Sequence, residues 1–207
     1  MKVMYAKVKG STPKGEALFP SLVTPNEYGS LSIYVIVDED SPKFQKVKAL
    51  HAQCSKDFNQ LEQWKKEANR KKIDPQRPWT PALDADGNAI PGLVKIKASC
   101  KPETASGKKR VIRVVDATTG AALENPDIGN GSIVQVGFTP KVYFAPQGGF
   151  GVSFSLDMVI VHAAVYGNTG KMSDYGFDDD EDSEGGYGFG NDDEPDTDGG
   201  NNDDPPF

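Results

Sequence analysis

Cysteine and histidine are scarce in this 207-residue chain, which holds two of each: Cys54, Cys100, His51 and His162. Cys54 and Cys100 lie far apart in sequence and match no metal-ligand spacing, so no zinc site or paired-cysteine redox motif is expected. The two thiols read as reduced and partly buried, with a disulfide between them left open. Long apolar runs are also missing, which excludes a membrane-spanning helix. The stretch Met1-Lys2-Val3-Met4-Tyr5 has no signal-peptide pattern, and the expected location is the cytoplasm. No phosphate-loop lysine pattern or nucleophile elbow occurs. No catalytic residue, metal ligand or cofactor is therefore assigned, and an enzyme is not expected.

The most telling absence is of positive charge at one end. From Asp174 to Phe207 there are 14 acids and no Lys or Arg. The whole chain has 30 acids and 23 bases; taking 14 from 30 leaves 16 acids against 23 bases in residues 1–173. The net charge of −7 thus conceals a body of +7 with an acidic extension. A basic body predicts a polyanionic ligand, and a flexible acidic extension predicts a second partner or a competitor for the first. Asp, Glu, Gly, Asn and Pro dominate residues 174–207, which cannot bury enough apolar area to offset ordering entropy, so disorder is expected there.

The body, residues 1–173, reads mainly as β-strand. In Leu31–Val37 the residues Leu31, Ile33, Val35 and Val37 alternate with Ser32, Tyr34 and Ile36. In Leu93–Cys100 the inward set is Val94, Ile96, Ala98 and Cys100, leaving Lys95, Lys97 and Ser99 outward. Further strands are expected over Lys109–Val115, with Arg110 and Arg113 on opposite faces, and over Ile133–Phe138 and Val142–Ala145, interrupted at Thr139-Pro140. The longest run, Val152–Val165, has Phe154, Leu156, Met158 and Ile160 on one face. Ala145–Phe150 reads as a hairpin tip and Asp84–Asn88 as a turn carrying part of a calcium-loop pattern. One helix is predicted over about 42–70. Ser41 caps it, Pro42 opens it, and Phe44, Val47, His51, Cys54, Phe58, Leu61 and Ala68 form its apolar stripe. The stripe suits packing on a sheet better than a coiled-coil seam. A Pro-rich loop over Ile73–Pro81, which includes Trp79, ends the helical region. Strands with one inserted helix fit a five-stranded oligonucleotide/oligosaccharide-binding (OB) barrel.

Two neighbouring basic strands could line a groove for a phosphate backbone, with Lys95, Lys97, Lys101, Lys109, Arg110 and Arg113 as its cations. Single-stranded ligands also need stacking surfaces, for which Tyr34, Tyr143 and Phe150 are the candidates, with Phe144 assigned to the core. The expected ligand is a single-stranded nucleic acid, bound with little sequence preference. Two rival readings stand. A metal-dependent nuclease or other phosphoryl-transfer enzyme would use Asp38 and Asp40; an assembly or chaperone protein would meet other proteins through the basic body.

The chain closes on Asp203-Asp204-Pro205-Pro206-Phe207. This ending resembles the carboxy-terminal tip of bacterial single-stranded DNA-binding proteins, with Pro205 standing where that tip more often has Ile. In layout, and in stretches such as Ala145–Val161, the chain resembles the single-stranded DNA-binding proteins of short-tailed lytic phages. That resemblance implies an OB barrel with an inserted helix, an acidic tail and residence in host cytoplasm. It also implies work in replication, recombination and repair. Residues Asp203, Asp204, Pro205, Pro206 and Phe207 would then recruit a polymerase, a helicase-primase or host repair enzymes. Relatives of this kind leave a homodimer open.

Overall fold

The structure is a computed structural model that describes residues 2–59, 77–104, 106–145 and 149–167. All of these lie in one compact unit, Met1–Thr169. The expected acidic tail and the part of the helix expected beyond Asn59 lie outside the described residues.

Nine strands form one sheet among the described residues. In chain order they are β1 (Lys2–Tyr5), β2 (Gly10–Ser11), β3 (Gly15–Ser21), β4 (Leu31–Asp38), β5 (Trp79–Leu83), β6 (Ala89–Cys100), β7 (Arg113–Asp116), β8 (Ile133–Ala145) and β9 (Gly149–Ala163), with helix α1 (Pro42–Asn59) between β4 and β5. Five strands close on themselves: β3 pairs β4, β4 pairs β6, β6 pairs β9, β9 pairs β8, and β8 returns to β3. The β6–β9 seam is parallel and narrow, formed at Ala98 and Phe154, and the other four pairings are antiparallel. This is the partly open five-stranded circuit of an OB barrel, with α1 inserted between its second and third strands. Strands β1, β2, β5 and β7 extend it.

Strict alternation builds the interior. Ile33, Val35 and Ile96 are buried on one side of the barrel, and Val134, Val136 and Phe138 on another. Helix α1 buries Phe44, Val47, His51, Cys54 and Phe58 of the expected stripe, and packs on β2, β8 and β9; Leu61 and Ala68 lie outside the described residues. The Phe44 N–H reaches Ser41 Oγ at 3.3 Å, so Ser41 caps the helix as expected. Trp79 ties helix to barrel: its ring lies 5.5 Å from Phe44, 4.9 Å from His51 and 6.5 Å from Phe154.

Several local expectations are corrected. The Pro-rich loop ends earlier than expected, because Trp79–Leu83 pairs with β6 as an added strand, where Pro81 is tolerated on the edge. Pro140 does not interrupt β8. Its carbonyl accepts from Ala6 N–H at 2.8 Å. A residue's N–H and C=O point to the same side of a strand, so the missing N–H falls in the gap between β1 and β2, where no ladder bond is lost. The strand expected over Lys109–Val115 shortens to Arg113–Asp116, leaving Arg110 in a loop. In β9 the apolar face changes sides: Phe154, Leu156, Val159 and Val161 are buried, whereas Met158 and Ile160 are only half-buried. Gly137 pairs with Met158 and Phe138 with Leu156, so Asp157 is one extra residue, and such a bulge flips every side chain beyond it. The three amino-terminal strands β1, β2 and β3 occupy residues that the sequence pattern assigns to no named strand.

Candidate nucleic-acid interface

The outer surface of the second and third barrel strands, β4 and β6, carries the first group of candidates. Register sets Tyr34 opposite Lys97 and Ile36 opposite Lys95, while Leu18 of β3 flanks Tyr34 from the other side. Because Ile33, Val35, Ile96 and Ala98 all point inward, the residues between them must face out. The Lys97 ammonium lies 5.2 Å from the centre of the Tyr34 ring, and that of Lys95 lies 5.9 Å away. Both are within cation–π range. A half-buried aromatic ring with two ammonium groups over it combines a stacking surface with charge for adjacent phosphates.

A second group follows along the same face. Ser99 lies two residues beyond Lys97, and its carbonyl accepts a hydrogen bond of 3.4 Å from Lys141 Nζ of β8. Burial lowers the Lys141 pKa; Arg110 and Lys101 lower it further, against an opposing pull from Cys100. These three cations crowd one another, and among the described residues none forms a salt bridge. Cations left without a salt bridge are a natural counter-surface for phosphates. Sequence reasoning missed Lys141. The signal was there, since it occupies an outward position beside buried Val142, but it was lost by breaking the strand at Pro140.

The remaining candidates are spread more widely. Tyr143 is half-buried on β8, between Val3 of β1 and Gly151 of β9, and burial raises its phenol pKa. Arg113 is exposed on β7 opposite Met158, along a different part of β9 from the β6 seam. Lys109 is an exposed loop residue whose backbone pairs with that of Glu103. Phe150 pairs with Phe144 through the backbone of β9 and β8, and the side chains of both lie outside the described residues. Residues 203–207 lie outside them as well.

Acidic candidates have structural employment. Asp38 Oδ1 accepts the Asp40 N–H at 2.7 Å in the turn leading into α1. Asp84 Oδ1 accepts from the N–H groups of Asp86 and Asn88 and closes the β5–β6 hairpin as a turn. No group of three or more metal-ligating side chains occurs among the described residues. No described helix is long and apolar enough to cross a membrane.

No protein-family model and no curated protein matches the sequence. Solved structures do match the fold. One is gp2.5, a single-stranded DNA-binding protein encoded by bacteriophage T7: TM-score 0.62, 22% identity, covering 88% of this chain and 98% of that one. Another is the single-stranded DNA-binding protein from bacteriophage Enc34 with its carboxy terminus truncated: TM-score 0.55, 15% identity, covering 80% and 97%. The Enc34 protein in complex with single-stranded DNA matches at TM-score 0.51 and 16% identity, covering 75% of this chain and 86% of that one. The chain thus has an OB-like barrel of the kind found in these phage-encoded proteins, and the resemblance seen in its sequence holds at the level of fold.

Proposed function

We propose that this chain is a non-catalytic, sequence-tolerant single-stranded DNA-binding protein. The carrying observation is the row formed by Tyr34, Lys95 and Lys97 on the outer face of β4 and β6. Stacking on Tyr34 would hold a base whatever its identity, because every base has a π-face. Lys97 and Lys95 would take the flanking phosphates, and Lys141, Lys101 and Arg110 would continue the track. Arg113, Lys109, Tyr143 and Phe150 would contribute at its margins. The fold likeness to phage proteins that bind single-stranded DNA supports the same reading.

In this reading residues 1–173 coat and protect transient strands, and residues 174–207 form an acidic tail. Phe207 offers a ring and an α-carboxylate to a partner's pocket, Asp203 and Asp204 add attraction to a basic rim, and Pro205 and Pro206 reduce the ordering cost. The partners would be replication, recombination or repair proteins. Titration of oligo(dT), duplex DNA and RNA against the full chain tests the core of the proposal. Tight binding to oligo(dT) that weakens steeply with salt is expected. Affinity that is flat between low and moderate salt would rule out the phosphate track, and Mg²⁺-dependent cleavage would favour an enzyme instead.

A further inference from the structure

Phe19 occupies an unusual place in β3. Leu18 pairs with Tyr34 and Ser21 with Ser32, so β3 takes three steps where β4 takes two and carries one extra residue. At that bulge Phe19 has φ +48°, and it is the one non-glycine residue with positive φ among those described. For a bulky aromatic this is a strained conformation. Alternation from buried Ala17 through outward Leu18 would have turned Phe19 into the core. It is instead 67% exposed, and the core resumes at Leu22.

The strained turn is held from outside the strand. The Phe19 N–H donates to Asn130 Oδ1 at 2.6 Å. The loop bearing Asn130 is fixed in turn by Gly131 N–H to the Ala17 carbonyl at 3.0 Å and by Ala17 N–H to the Ser132 carbonyl at 2.8 Å. The fold therefore fixes the backbone under an aromatic ring that it leaves in water. That ring is attached one residue along from the row Leu18–Tyr34–Lys97. With strands about 4.8 Å apart, its Cα falls about 6 Å from that of Tyr34.

We propose that Phe19 is a second base-stacking residue, which takes an unpaired base next to the one on Tyr34. This inference rests on the single-stranded DNA reading above and adds a contact on the first barrel strand, which sequence patterning assigned to nothing.

The test uses the full-length protein, labelled oligo(dT) and thermal unfolding. Phe19→Gly suits the positive φ, so the Tm is expected to hold or rise. Affinity is expected to fall roughly 5- to 150-fold, the range for losing one stacked base. Phe19→Trp keeps a stacking surface and should stay within about threefold of the parent protein. Three results would overturn the assignment: parental affinity in Phe19→Gly, a fall of Tm alongside affinity in that variant, or an equal loss of affinity in Phe19→Trp. Failure of the unaltered protein to bind oligo(dT) would instead sink the single-stranded DNA reading itself.

Discussion

Tyr34 shows how a single ring acquires a function from its neighbours. Alternation puts it outside the barrel, and register brings two ammonium groups within 6 Å of its centre. Tyr34→Ala is expected to weaken oligo(dT) binding by about 1–3 kcal/mol with little change in Tm, measured by anisotropy and thermal unfolding. Lys141 provides a test in pH. Its pKa lies below the usual 10.5, chiefly through burial, so between that lowered value and 10.5 the folded protein holds fewer protons than the unfolded one. The contribution of Lys141 to stability should therefore rise with pH across this window, against the opposite slope from Cys54, Cys100 and Tyr143, whose pKa values are raised. Lys141→Met should remove that contribution, read as the difference between the two proteins in urea titrations at several pH values. A phosphate beside Lys141 favours its charged form, so DNA binding should take up protons in the same window. Tyr34, Lys95 and Lys97 were legible from alternation alone, because neighbouring inward residues are uniformly apolar. Lys141 and Phe19 were not, because a proline and a bulge disguise the period that would have revealed them.

Elements of this fold are shaped by close approaches. Gly15 sits where β3 begins, paired with Val134 of β8. A Cβ there would collide with the Ile36 carbonyl oxygen and approach side-chain carbons of Val35 and Val37 to 2.9 Å. Backbone cannot yield as a flexible side chain does, so Gly15→Ala is expected to cost about 3 kcal/mol or more, read from denaturant unfolding. Helix α1 offers a milder test. Ser41→Ala removes the cap on Phe44 N–H and should cost about 1 kcal/mol while sparing DNA binding, since the cap is not part of the Tyr34 row. The helix start, its stripe and the turn at Asp84–Asn88 could all be read in advance, since caps, periodicity and glycine turns act over a few residues. The bulge at Asp157 could not. It depends on how β9 meets β8, a long-range pairing.

Charge acts over the whole chain. If Lys95, Lys97, Lys101, Arg110, Arg113 and Lys141 all met phosphates, the logarithm of affinity for a single strand would fall with log salt at a slope near −4. A slope near zero would mean that the cations do not meet the backbone. Truncation after Ser173 changes the net charge from −7 to +7. It is expected to tighten oligo(dT) binding at low salt, because a tethered polyanion no longer competes, and to abolish capture of partner proteins. Unchanged DNA affinity in the truncated protein would remove competition from the tail's proposed roles.

Local chemistry along the chain was enough to specify alternating strands, one capped helix, a mainly β fold and the segregation of acid from base. These features depend on neighbouring residues and on composition, which the chain carries without folding. Closure of β3, β4, β6, β9 and β8 into a barrel belongs to long-range pairing instead. So do the union of Tyr34 with two lysines of another strand, the crowding of Lys101, Arg110 and Lys141, and the outward turn of Phe19. Each joins residues far apart in sequence, and a one-residue shift in register reverses which side chains face outward. The interface candidate is thus written into residue types by the chain and into geometry by the pairing of its strands.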